Sequence, residues 1–215
     1  MYLSRVKLDP QRRSTMKALA APNLFHGAVE QSFSGPRERR LWRVDPLVGG
    51  TYLLILSPTL PDLSGAFEQF GAEGEEPVWE FRDYETLLRR IVPGSRWRFR
   101  LTANPTVSKV SPTGDRGKVF GHITVGYQEQ WLLERSNKHG FSLEQDAFRV
   151  MQSNWIRFRK GKENGRLVTL LSVTYEGWLT VTDAELFRTA LVNGVGRGKA
   201  YGLGMLTVAG IPEMP

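Results

Sequence analysis

Cysteine is missing altogether from this chain of 215 residues, so no disulfide staples the fold and no thiolate holds a metal. Histidine is scarce. His26, His122 and His139 stand far apart, and none of them has the spacing of a metal-ligand set. No metal and no cofactor is expected. Long apolar runs are absent too, since none approaches the ~20 residues that a membrane-crossing helix needs. The start, Met-Tyr-Leu-Ser-Arg-Val-Lys-Leu, alternates as a strand does and lacks the build of a signal peptide. These absences fit a cytoplasmic protein with no membrane partner.

The common nucleotide fingerprints are also lacking. A Walker loop requires Gly-x-x-x-x-Gly-Lys-Ser/Thr, but Gly198-Lys199 is followed by Ala200, and position 193 is Asn. A dinucleotide fold requires Gly-x-Gly-x-x-Gly, but Gly194-Val-Gly196 leads to Lys199. What stands there instead is Gly194-Val-Gly196-Arg197-Gly198-Lys199-Ala-Tyr-Gly202-Leu-Gly204, five glycines in eleven positions with two cations between them. Glycine lets the backbone turn sharply and approach a ligand closely, and two cations in one turn suit a phosphate chain. The same run is also compatible with a turn that only packs.

Acidic residues are few, 22 against 29 Lys and Arg, for a net charge of +7. The excess is uneven. Residues 1–92 hold 12 of each sign, whereas residues 93–215 hold 17 basic and 10 acidic side chains. A neutral half beside a basic half points to a polyanion, with nucleic acid the usual partner.

Along the chain, residues 2–8 read as a strand and Arg12–Ala20 as a helix. Pro22 opens a new helical turn carrying Leu24, Phe25, Ala28, Val29 and Phe33 at helical spacing, and Ser34-Gly35-Pro36 ends it. Strands follow at Leu41–Val44 and Tyr52–Leu56, then a weak helix at Ala66–Phe70, a strand at 77–81 and a helical turn at Tyr84–Ile91. Pro93-Gly94 suggests a boundary between units 1–92 and 93–215. Ser95–Leu101 alternates strictly, with Arg96, Arg98 and Arg100 on one face and Trp97, Phe99 and Leu101 on the other. Residues 106–117 read as a mobile basic loop. A helix is predicted over Gly126–Lys138, ended by Gly140, and strands over Phe148–Phe158 and Leu167–Val181, with turns at 161–165 and Gly177. A last helix over Asp183–Val192, capped by Thr182, precedes the glycine run and a final strand over Met205–Ala209. The expected fold class is α+β, two ferredoxin-like β-α-β-β-α-β domains in tandem.

Two further constellations carry chemistry. Trp155-Ile-Arg157-Phe-Arg159-Lys160-Gly-Lys162 has four basic residues in eight. Arg157 and Arg159 leave one strand face, with Lys160 and Lys162 assigned to the turn. Joined with Arg98, Arg100, Arg197 and Lys199, they make an extended cationic surface suited to the phosphates of helical nucleic acid. His26, the only histidine in the first helical region, has an unperturbed pKa of about 6.5, which suits proton transfer near neutrality.

These features together resemble the CasE family, the CRISPR RNA-processing endoribonucleases of the type I-E Cascade complex within the RAMP superfamily. The residues carrying the resemblance are Met1-Tyr-Leu-Ser-Arg-Val6, His26, Arg98-Phe-Arg-Leu-Thr-Ala-Asn-Pro105, Tyr175-Glu-Gly-Trp-Leu-Thr-Val181 and the glycine run 194–206. The resemblance implies metal-independent cleavage of repeat RNA at the base of a hairpin by 2′-hydroxyl attack. Its products would be a 2′,3′-cyclic phosphate and a 5′-hydroxyl. His26 is then the catalytic residue, Arg157, Arg159 and Lys160 contact the RNA, and the partners are CRISPR repeat RNA, the crRNA product and other Cascade subunits. Family members often carry a tyrosine three residues before the histidine. Asn23 stands there, and an amide supports catalysis by hydrogen bonding alone.

Overall fold

The computed structural model describes residues 1–72, 79–109, 118–161 and 165–210. In its first half the order is β1 (Tyr2–Leu8), α1 (Arg13–Ala20), α2 (Asn23–Gln31), β2 (Leu41–Leu47), β3 (Gly50–Ser57), α3 (Ser64–Phe70), β4 (Trp79–Asp83) and α4 (Glu85–Arg89). The four strands form one antiparallel sheet in the order β2-β3-β1-β4. Pro22 separates the first two helices. The residue before a proline is driven out of the helical region, and Ala21 sits at φ −133°, ψ 81°. His26 therefore belongs to the second helix.

The second half repeats the plan. It runs β5 (Arg96–Ala103), β6 (Thr106–Lys109), β7 (Lys118–Gly121), α5 (Val125–Ser136), β8 (Phe141–Ser142), β9 (Phe148–Lys160), β10 (Arg166–Val181), α6 (Ala184–Asn193) and β11 (Leu206–Ala209). Its main sheet runs β11-β5-β10-β9, with β8 pairing the end of β10. Both halves thus have the ferredoxin-like strand order, and the fold is two such domains in tandem. We propose the division at Pro93-Gly94, where Gly94 adopts φ +79°.

Four local expectations need correction. Thr106–Lys109 is not loop but pairs with Lys118–Gly121, Val107 opposite Phe120; the rest of the expected basic loop lies outside the described residues. Gly177 makes no turn. It lies within β10, paired with both Phe99 and Phe148, and a Cβ there would stand 2.2 Å from the Ala147 carbonyl oxygen. Its role is close backbone approach. The cap of α6 is Asp183, whose Oδ1 accepts from Leu186 N–H at 3.0 Å; the Thr182 N–H instead donates to Gly140 O. Lys160 is the last residue of β9 and does not belong to the turn.

Two apolar clusters hold the molecule. One fills the space under α1–α3, with Phe25 packed on Trp42 and Phe70 at ring distances of 5.8 and 4.9 Å. The other gathers Trp97, Phe99, Leu101, Trp131, Phe141, Tyr175 and Phe187, and it continues into Leu41, Leu54, Leu56, Leu88 and Ile91 of the first half. The core therefore crosses from one domain to the other.

At that crossing lies an ion pair with almost no access to water. Arg43 of β2 donates to both carboxylate oxygens of Asp45, to the Arg100 and Met205 carbonyls at 3.1 and 2.6 Å, and to Thr207 Oγ1 at 2.8 Å. All five N–H donors of the guanidinium are used. The contacts join the first sheet to β5 and β11 of the second. Arg43→Leu removes both hydrogen bonds of a buried carboxylate, leaving it only Arg100 at 3.6 Å, and is expected to cost about 3–5 kcal/mol in urea unfolding. The double substitution Arg43→Leu with Asp45→Leu is expected to cost less than the single one. A single change that leaves the midpoint untouched contradicts this account of the junction.

Candidate active site

Helix α2 buries Phe25, Ala28 and Val29. The residues three and four apart on its next stripe are Asn23, His26 and Glu30, all half-buried. Asn23 Oδ1 is enclosed and has no hydrogen-bond partner among the described residues. Burial pulls the His26 pKa below the ordinary imidazole value. Glu30 works against this shift, while Arg37 and Lys160 add to it. The imidazole is thus held neutral at physiological pH, and neutral imidazole can accept a proton.

Two cations reach His26 from opposite parts of the chain. Arg37 belongs to the link between α2 and β2, and its Nε lies 3.5 Å from Glu30 Oε2. Lys160 ends β9, on the strand face shared with Ile156 and Phe158. Phe158 is buried and meets Tyr201 edge-on at 5.1 Å. Strand alternation sends Arg157 and Arg159 to the other, exposed face. The basic cluster expected on β9 is therefore divided, and of its described members Lys160 is the one whose charge acts on the histidine. Lys162 lies outside the described residues.

The glycine run joins α6 to β11. Gly194, Gly196, Gly198, Gly202 and Gly204 all have positive φ, from 73° to 88°. Space forbids a side chain as firmly as φ does at Gly202, where a Cβ would lie 2.7 Å from the Trp42 ring. The loop is clamped to the second sheet by Gly204 N–H on Thr102 O at 2.6 Å and by the bridge between Asn104 and Arg197. Its short helical turn, Lys199–Tyr201, packs against α2. Burial lowers the Lys199 pKa, and Arg39 lowers it further.

Arg98 and Arg100 are elsewhere. They line a cleft of about 450 Å³ between the two sheets, where Arg100 lies 3.2 Å from Glu176 and 3.6 Å from Asp45, and Arg98 lies 3.9 Å from Glu176. Glu176 and Asp45 offset part of their charge there; Arg98 stays apart from the glycine run, whereas Arg100 also lines a hollow with Tyr201, Gly202 and Leu203. Arg37 and Arg39 were missed by sequence reasoning because they fall in the half with no net charge. The readable signal was Arg37-Glu-Arg-Arg40 directly after the histidine helix. Among the described residues no group of three or more His, Asp or Glu is arranged to hold a metal ion, and no helix is long and apolar enough to cross a membrane.

The family model described as CRISPR associated protein matches residues 1–210. The chain is 34% identical, over 97% of its length and 100% of the relative's, to the CRISPR-associated endoribonuclease Cse3 of Thermus thermophilus. Among solved structures it is similar to a CRISPR endoribonuclease Cse3 bound to a 19-nucleotide RNA, with 32% identity, TM-score 0.78 and coverage of 97% of this chain and 98% of that one. It is also similar to Thermus thermophilus Cse3 bound to an RNA representing a pre-cleavage complex, with 31% identity, TM-score 0.77 and coverage of 97% and 98%.

The electrostatics of His26 can be tested directly. Its NMR titration midpoint is expected below the unperturbed ~6.5. Lys160→Met should raise that midpoint but leave it below the unperturbed value, because burial, the first cause, remains. A wild-type midpoint above that value contradicts the account.

Proposed function

The chain belongs to the family of CRISPR-associated proteins, and from that premise we propose that it is an endoribonuclease acting on CRISPR repeat RNA. The observation that carries the reading is the half-buried His26, its pKa lowered by burial and by the charges of Arg37 and Lys160, in a chain that aligns end to end with an endoribonuclease. The finer reading is cleavage at the base of a repeat hairpin, with retention of the crRNA product and assembly with other Cascade subunits.

In this mechanism the 2′-hydroxyl upstream of the scissile phosphate attacks the phosphorus in line. His26 accepts the hydroxyl proton as the new P–O2′ bond forms. The bond from phosphorus to O5′ then breaks, leaving a 2′,3′-cyclic phosphate. The departing O5′ takes a proton and becomes a 5′-hydroxyl; we assign its delivery to the Lys160 ammonium. Lys160 and Arg37 offset the charge that builds on the pentacoordinate phosphate, where fixed cations act most strongly. No metal takes part in any step.

Asn23 has a supporting task. Its enclosed Oδ1, without a hydrogen-bond partner among the described residues, carries a desolvation cost of about 1–3 kcal/mol, which a hydrogen bond from a second RNA hydroxyl relieves, since the single proton of the attacking hydroxyl goes to His26. An amide cannot relay the proton, so the burden falls on His26. On the outer face of β9, Arg157 and Arg159 hold stem phosphates, in keeping with the wide salt-dependent contacts of A-form RNA.

The test is single-turnover cleavage of the repeat hairpin RNA in EDTA. Wild-type protein is expected to cleave. His26→Ala is expected to abolish cleavage while keeping affinity within about tenfold, or ~1.4 kcal/mol. Near-normal cleavage by the mutant, or a requirement for Mg²⁺, overturns the mechanism. Binding without cleavage by the wild type makes the chain a non-catalytic RNA-binding subunit.

A further inference from the structure

A cavity of about 470 Å³ opens between β6, His122, α5 and the first turn of the glycine run. Its chemistry differs from that of a phosphate path. Tyr127 stands on its rim with 65% of its surface exposed, and its ring lies 5.9 Å from that of His122. The Arg135 guanidinium lies over the Trp131 ring at 4.2 Å, and Trp131 is itself stacked on the buried Tyr175. Gly196 crosses the Trp131 ring so closely that a Cβ would stand 3.2 Å from it, which sets Arg197 at the mouth. Arg197 has no acidic partner among the described residues.

The cavity also holds a carboxylate. Glu134 lines it and accepts from Gln130 Nε2 at 3.3 Å. With Glu134 set against Arg135 and Arg197, the space suits a mixed polar edge better than a phosphate alone. An aromatic ring left in water, a guanidinium plane, an amide and a carboxylate converging on one space suit a flat heterocycle whose edge both donates and accepts hydrogen bonds. The location fits too. The same glycine run borders α2 through Lys199–Tyr201 and borders this cavity through Gly196–Arg197, only two residues away along the chain.

From this geometry we propose a nucleobase pocket. It receives one unpaired base of the bound RNA, stacked on Tyr127 and read at its edge by Gln130, Glu134 and Arg197. The inference rests on the endoribonuclease reading above and adds a point of base recognition to it.

The test uses the repeat hairpin RNA with a single abasic residue placed at each unpaired position in turn. Binding to wild type, Tyr127→Ala and Tyr127→Phe is measured by fluorescence anisotropy, and melting temperatures confirm that all three fold. At one position, loss of the base should weaken wild-type binding about tenfold or more. Tyr127→Ala should weaken binding of the intact RNA by a similar factor, the two losses should not add at that position, and Tyr127→Phe should bind as wild type. Losses that add at every position overturn the pocket, while cleavage of the intact hairpin by wild type leaves the endoribonuclease reading standing. If Tyr127→Ala binds RNA normally but loses association with a protein subunit, the cavity is a protein contact and the proposal falls. A wild type that neither binds nor cleaves the hairpin overturns both.

Discussion

Arg43 and Asp45 form the constraint on which the rest of the structure depends. A buried guanidinium with every N–H donor occupied tolerates no rotation of its surroundings, since any slip leaves charge unpaired in the interior. Arg43 spends two donors on the Arg100 and Met205 carbonyls and one on Thr207, so the two sheets cannot turn relative to one another. Its neighbours on β2 transmit that order to the site. Trp42 presses on Gly202 on one side and on Phe25 of α2 on the other, and Leu41 lies against Gly194. The helix bearing His26 and the glycine run that faces it are thus both gauged against the same strand.

The site gathers its charge from distant stretches of chain. Arg37 comes from the first domain and Lys160 from the end of β9 in the second, and both act on His26. Arg39 acts electrostatically on Lys199 across the same junction. Like charges gathered at one junction repel, and a phosphate ester bound between them offsets that repulsion. Burial of the imidazole contributes a second condition, a neutral proton acceptor beside fixed cations. The first half supplies the imidazole and Arg37, and the second half supplies Lys160.

Much of this could be read from the residues in order. The twofold β-α-β-β-α-β succession, the alternation of β5, the proline start of α2 and the glycine run all follow from local pattern, because each depends on neighbours in sequence. What escaped depends on neighbours in space. The even charge of residues 1–92 hid Arg37 and Arg39, since a count averages along the chain whereas the fold places cations singly. Arg98 and Arg100 read as a free cationic stripe until Glu176 and Asp45 were brought beside them. Lys160 read as one of a group with Arg157 and Arg159, yet a single further strand residue sends it to the opposite face. Gly177 read as a turn because glycine suits turns, whereas the backbone of Ala147 and Phe148 requires the missing side chain.

The central claim is that the nucleophile is the RNA's own 2′-hydroxyl and that His26 removes its proton. The most direct measurement replaces the ribose immediately 5′ of the scissile phosphate with 2′-deoxyribose in an otherwise unchanged repeat hairpin. The account predicts that this RNA binds as the unmodified one does and is not cleaved at that position. Cleavage there at a comparable rate would mean that water attacks the phosphate, and it would contradict the account.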